Sequence, residues 1–254
     1  MQPKIITKGS LLITGLSGDG AKTAEVWNDF DRSYSARPFP KAEECGYEIR
    51  FHGGEKPAPR GKDVHVGFAN ENADTLEGFP CEVGPPFATV ILPATEYAVF
   101  DVQVAKGYDS GNEAMDKWLA DNSAQYRQFM LDGVAYVVEC YGEKFKSGRD
   151  SDSIVEIWIP VYRSCQSCGM SLVAEMVFGK GSTENVFGKE KDGSPNRDYC
   201  YLCYIDGAFS TNDTMEEMIE RCVPYTCASN PWPDEDTARR EMQKFFPKLK
   251  RWAK

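Results

Sequence analysis

No apolar run near the start of this 254-residue chain is long enough to cross a bilayer or serve as a secretory leader. The run Leu11-Leu12-Ile13-Thr14 is bounded by Gly9 and Gly15, so a cytoplasmic protein with no membrane partner is expected. Positive charge is scarce as well. Lys and Arg number 29 against 39 Asp and Glu, a net charge of −10 that divides as −8 on residues 1–163 and −2 on 164–254. Neither segment offers the basic surface that phosphate backbones require, which argues against direct nucleic-acid binding. The short cluster Lys248, Lys250, Arg251 and Lys254 reads as a solvated tail. A phosphate loop is missing too: Gly18-Asp19-Gly20 lacks the Lys-Ser/Thr ending and reads as a turn before a helix. What remains is a globular chain, long enough for one large or two modest domains.

Cysteine, by contrast, is plentiful and ordered. Cys165-Gln166-Ser167-Cys168 and Cys200-Tyr201-Leu202-Cys203 are two C-x2-C steps with 31 residues between them. Each step sets two thiolates on one tight turn, and two turns close a tetrahedral four-sulfur shell. Disulfides or a redox C-x-x-C fit less well, because no secretory signal accompanies them and redox motifs do not come in matched pairs. One structural Zn²⁺ is therefore expected on Cys165, Cys168, Cys200 and Cys203. A shell without an open position holds a fold and does not catalyse. Cys45, Cys81, Cys140, Cys222 and Cys227 are expected as free thiols, most of them packed as small apolar groups.

The first 163 residues repeat. Tyr47–Gly53 aligns with Tyr136–Gly142 at a shift of 89, while Trp27 with Trp118 and Val64–Phe68 with Val155–Ile159 align at a shift of 91. Each copy reads as a strand (Leu11–Leu16; Tyr97–Val104), a helix with apolar residues at i, i+3, i+4, and two alternating strands. Two β-α-β-β halves joined edge to edge about a pseudo-twofold axis predict an α+β fold: a curved antiparallel sheet with both helices on one face.

Alternation assigns side chains to faces. In the last strand Val155, Ile157 and Ile159 form one side and Glu156 and Trp158 the other; in the strand before it, Val137, Glu139 and Tyr141 oppose Tyr136, Val138 and Cys140. Each strand thus has an apolar helix-facing set and a set mixing a carboxylate with an aromatic. A carboxylate flanked by Trp and Tyr in a cleft receives a flat, apolar cation; the plainer alternative is that Glu139 and Glu156 point to water. His52 and His65 fall opposite Tyr141 and Glu156 in the repeat and are assigned to surface strand positions.

Gly15-Leu16-Ser17-Gly18, Trp27, Pro93–Phe100, Glu139-Cys140-Tyr141 and Val155–Val161 occur in the order that resembles the gyrase-inhibitor-like (GyrI-like) family, which also provides the effector-binding domain of AraC-type and multidrug-sensing regulators. The resemblance spans residues 1–163. It implies a duplicated β-α-β-β fold with a small-molecule cleft, a final-strand glutamate (here Glu156) inside it, and aromatic positions matched by Trp158, Tyr141 and Tyr97; Glu139 joins them from the alternation above. Some relatives of that family hydrolyse cyclopropane-bearing electrophiles. Regulators of the family carry a helix-turn-helix domain, which this chain lacks, so it is regulator-like in its effector domain alone.

Residues 164–252 resemble the small bacterial zinc ribbon domains through Cys165–Met170, Asp192–Ser194, Asp198–Cys203, Asp206–Phe209, Thr214–Ile219 and Pro247–Trp252. Thr214 with Glu217 forms a capping box, and a second helix after Pro231-Trp232-Pro233 carries Ala238, Met242 and Phe245 before Pro247 stops it. The stretch Val177–Glu190 lengthens the loop between knuckles. The expected layout is a domain over 1–163 and a ribbon over 164–254 with C-terminal helices. Three functions compete: a small-molecule binding protein centred on Glu156, with a regulatory or drug-sequestering role; a hydrolase of electrophilic xenobiotics, with Glu156 as base and Tyr141 or Tyr97 as proton donor; and an adaptor that meets a protein partner through the ribbon. The first is preferred, and the acidic charge counts most against the third.

Overall fold

The computed structural model describes residues 1–71, 83–179, 181–228 and 232–253. Cys81, Pro231, Lys254 and the side chain of Cys227 lie outside the described residues. The chain divides into two compact units, Met1–Trp118 with Gln128–Val161, and Leu119–Arg127 with Tyr162–Lys254.

Runs rich in β-branched and aromatic residues form the strands β1 (Lys4–Lys8), β2 (Leu11–Gly18), β3 (Lys41–His52), β4 (Val64–Asn70), β5 (Ala88–Leu92), β6 (Thr95–Gln103), β7 (Tyr126–Gln128), β8 (Met130–Leu131), β9 (Val134–Tyr141) and β10 (Ile154–Arg163). The sheet runs β1-β6-β10-β9-β3-β4-β2-β5, with β7 and β8 off that path. Every pairing along the path is antiparallel. The helices α1 (Thr23–Ala36) and α2 (Asp109–Asp121) complete two copies of β-α-β-β.

The register carries the repeat down to single residues. Ile49 of β3 faces Val138 of β9, 89 positions on, while Tyr47 faces Cys140 and Phe51 faces Tyr136. The same shift exchanges those last two pairs, which is what a twofold axis through Ile49 and Val138 requires. Both helices lie on one face. Phe30 of α1 packs against Phe68 of β4 at 5.1 Å, and Trp118 of α2 against Phe100 of β6 at 6.0 Å. Trp27 Nε1 donates to Glu48 Oε2 (2.8 Å). The registers Gly46↔Phe68, Glu48↔Glu139, Ile157↔Glu139 and Ile157↔Phe100 tie these positions to a common side. The opposite face gathers a separate buried cluster that includes Ile13, Tyr47, Ile49, Tyr97, Val99, Tyr136, Val138 and Trp158.

The second unit is built on α3 (Ala174–Phe178), the hairpin β11 (Phe187–Lys189) and β12 (Pro195–Cys200), the short hairpin β13 (Tyr204–Ile205) and β14 (Ala208–Phe209), α4 (Met215–Ala228) and α5 (Glu235–Phe245). The long stretch between knuckles holds α3 and β11. At the start of α4, Glu217 N donates to Thr214 Oγ1 (3.2 Å) and Thr214 N to Glu217 Oε2 (2.8 Å), a reciprocal capping box. Ala238 and Met242 of α5 enter the core with Met218, Ile219, Val223, Phe246 and Leu249.

Leu119–Arg127 belongs to this unit through direct bonds. Gln166 Nε2 donates to Ala124 O (2.9 Å), Ser164 N donates to Gln125 O (2.9 Å), and the Arg163 guanidinium lies over Tyr126 at 5.1 Å. Within the C-terminal basic cluster, Lys250 and Arg251 are anchored and not part of a solvated tail, while Lys248 is exposed. Arg251 is held between the rings of Phe209 (4.2 Å) and Trp252 (4.4 Å) while donating to Ser167 Oγ and Thr211 O, and Lys250 Nζ donates to Asp198 Oδ2 (2.8 Å). Among the described residues, no helix is long and apolar enough to cross a membrane.

Candidate functional site

Trp158 lies on the face away from the helices, because β10 turns Val155, Ile157 and Ile159 toward them. Its ring sits 5.8 Å from Tyr47 and 5.6 Å from Tyr97, at interplanar angles of 75° and 57°. These are the edge-on and tilted contacts that aromatic quadrupoles favour. Trp158 Nε1 donates to Glu156 Oε2 (3.2 Å) on the same strand. Glu156 Oε1 accepts from Lys144 Nζ (2.9 Å), which also reaches both oxygens of Asp101, directly across from Glu156. A second carboxylate stands nearby, where Tyr47 Oη donates to Glu43. Burial, then the bond to Glu43, raises the Tyr47 phenol above its usual range; burial pushes Tyr97 up to about 12. Both hydroxyls therefore stay protonated. The Lys8 ammonium lies 5.0 Å from the Trp158 ring centroid.

Glu139 and Tyr141 are on the other face. Glu156 pairs with Cys140 and Trp158 with Val138, so Glu139 and Tyr141 turn toward the helices. There Glu139 meets Glu48 across the central strand pair. Arg50 bridges them, with Nε donating to Glu139 Oε1 (2.8 Å) and NH2 against Glu48 Oε1. Tyr141 Oη donates to Glu139 Oε2 (2.7 Å), and its ring is 5.8 Å from Trp27. Burial, then the neighbouring Glu139, raises the Glu48 carboxyl above its usual range. The five predicted cleft residues thus divide into Glu156, Trp158 and Tyr97 on one side and Glu139 and Tyr141 on the other. Tyr47, Glu43 and Lys8, which sequence reasoning missed, share the first side.

Cys45 and Cys140 are joined as a disulfide across β3 and β9, with Cα atoms 6.4 Å apart. This corrects the expectation of free thiols for these two: the register brings together residues 95 positions apart. Cys222 remains a free thiol, pushed up to about 12 by burial.

The two halves differ at the site. The shift of 91 carries His65 onto Glu156 and Gly67 onto Trp158. His65 is fully buried rather than on the surface: Nε2 meets Ile13 O (3.0 Å) and Nδ1 meets Ser17 Oγ (2.9 Å). Desolvation lowers its pKa to about 4. Gly67 faces Gly15 across β2 and β4. A Cβ on Gly67 would stand 2.2 Å from Thr14 O, so no side chain fits there. His52 is exposed at the end of β3.

In the second unit the four sulfurs of Cys165, Cys168, Cys200 and Cys203 lie within 4.8 Å of one another, with Cys168 and Cys200 at 3.8 Å. Tetrahedral Zn–S bonds of about 2.3 Å place sulfurs about 3.8 Å apart, so the set fits one zinc ion. The knuckles are shaped for it. Gly169 takes φ +76°, Gly169 N donates to Cys165 O (2.8 Å), and Cys200 N donates to Cys165 Sγ (3.3 Å). Cys165, Cys200 and Cys203 are buried in the unit's core.

Residues 164–253 match the family model described as "Putative zinc ribbon domain". That match and the four-sulfur cluster fall on the same segment. No curated protein matches the chain. Among solved structures, SAV2435 bound to tetraphenylphosphonium is 15% identical with a TM-score of 0.43, over 63% of this chain and 94% of that one. The EcmrR–DNA complex gives the same identity and TM-score over 63% and 57% of the respective chains. The EcmrR C-terminal domain alone is 16% identical with a TM-score of 0.40, over 63% and 96%.

Proposed function

We propose that the first unit is a receptor for a hydrophobic, flat, cationic small molecule, bound on the sheet face of Trp158, and that the ribbon is a structural zinc module. The single observation that carries this reading is Trp158 itself. Its π-face is framed by two tyrosine rings, its N–H is fixed by Glu156, and it already takes an ammonium at 5.0 Å. An aromatic wall with an adjacent carboxylate attracts an organic cation through the ring quadrupole and through charge. The role we assign is regulatory or sequestering, because binding needs no more than these groups provide.

The hydrolytic alternative paired Glu156 with Tyr141 or Tyr97. Tyr141 lies on the opposite face, and Tyr97 Oη is directed to Pro93 O (3.4 Å), so neither favours proton transfer to a leaving group beside Glu156.

Glu156→Gln keeps an acceptor for Trp158 Nε1 but removes the charge. It is expected to weaken binding of a flat cationic dye by roughly 1–3 kcal/mol, the size of a charge-assisted contact, with little change in unfolding midpoint. Titration by quenching of tryptophan fluorescence reads the affinity, and mass spectrometry of the recovered dye tests whether it leaves intact. Equal affinity in wild type and variant, or multiple turnovers of the dye per protein, would sink the receptor reading.

A further inference from the structure

The residue that meets Trp158 in this structure is a lysine from an edge strand. β1 pairs with β6 so that Ile6 faces Tyr97 and Lys8 faces Thr95, and the alternation puts Lys8 on the Trp158 side of the sheet. Its side chain is half-buried, its ammonium stands 5.0 Å over the indole, and among the described residues no carboxylate lies within ion-pair distance of it. An ammonium partly removed from water and held by a ring occupies the place that an organic cation would take.

We propose that Lys8 is a built-in competitor for the ligand's charge and so sets the affinity and selectivity of this face; the proposal rests on the receptor reading above. A ligand must first return the Lys8 ammonium to water. The four-carbon stem allows this, since Lys8 lies at the end of β1 and lysine carries its charge on a flexible chain. A small hydrated cation gains just the ring and does not offset the loss. With Lys8 in place Trp158 is 3% exposed and Tyr47 and Tyr97 are fully buried, so the departing stem is what uncovers the ring, and a lipophilic monocation that re-covers it with hydrocarbon regains the apolar contact. Among cations, Lys8 therefore favours an aryl- or alkyl-rich one with its charge shielded by hydrocarbon. Once displaced, Lys8 still repels positive charge, so it penalises cations more than neutral molecules of the same shape.

The test uses the full chain with bound zinc and two probes of matched shape, methyltriphenylphosphonium and neutral triphenylphosphine oxide. Lys8→Met keeps the stem and removes the charge; Lys8→Arg keeps the charge. Lys8→Met is expected to tighten phosphonium binding at least tenfold and to raise the phosphonium-to-oxide affinity ratio at least fivefold, with Lys8→Arg within about threefold of wild type. In the wild type, saturating phosphonium is expected to speed acetylation of Lys8 while leaving Lys4 unchanged. If the wild type binds phosphonium and Glu156→Gln weakens it, but Lys8→Met changes neither affinity nor ratio, this inference falls and the receptor reading stands. Unaltered Lys8 acetylation under saturating phosphonium also overturns it. If neither the wild type nor any variant binds phosphonium while circular dichroism reports the native fold, both fall together.

Discussion

Single residues show how the local environment sets each group's role. His65 and Glu156 are equivalent under the repeat, yet one is a neutral buried imidazole and the other a charged group paired with Lys144. The folded pKa of His65 is about 4, below the ordinary value of 6.5. The native state thus keeps the neutral ring while the unfolded chain takes up a proton as pH falls through 6.5. Stability from this site is complete above 6.5 and is lost progressively toward pH 4, by up to about 3 kcal/mol. Urea unfolding at pH 7.5 and pH 4.5 is expected to show a smaller acid loss in His65→Gln than in the wild type. Equal losses would mean that His65 does not control this window.

At the scale of elements, alternation within a strand was legible and registration between strands was not. Val155, Ile157 and Ile159 could be separated from Glu156 and Trp158 by period two alone, and the shift of 89 between Tyr47 and Tyr136 marked β3 and β9 as equivalent strands, whose pairing with each other the register then supplies. The repeat, the antiparallel sheet and the shared helix face followed from those patterns. Whether Glu139 joins Glu156 depends on which residue of β9 faces Glu156, and that residue is Cys140; spacing within either strand is silent on it. The same gap hid the Cys45–Cys140 bond, the Tyr47–Glu43 contact and Lys8, each of which joins side chains from different strands or from a bulged segment. The four-sulfur cluster was legible because C-x2-C confines two thiols to one local turn. The attachment of Leu119–Arg127 to the second unit was not, since it runs through main-chain carbonyls of Ala124 and Gln125 that carry no sequence signature.

For the molecule as a whole, the four-sulfur cluster and the fold share one core in the second unit. Cys165, Cys200 and Cys203 form part of its core with Met218, Ile219 and Phe246, and a four-thiolate site contributes on the order of 10 kcal/mol of folding free energy. Chelation, or Cys165→Ser, is expected to abolish amide-exchange protection over 164–253 and over Leu119–Arg127, while protection in β3 and β9 persists. Retained protection at Gln125 and Tyr126 in the metal-free protein would show that this segment does not fold with the ribbon. The first unit has a different kind of dependence, on its own duplication. A doubled fold offers two equivalent sheet positions, one per half. Here Gly15 and Gly67 close the first half so tightly that no ring can stand where Trp158 stands in the second, and His65 replaces the carboxylate. The receptor reading therefore assigns its site to one half alone, and a titration with a flat cationic dye is expected to saturate at one equivalent per chain although the fold is built twice.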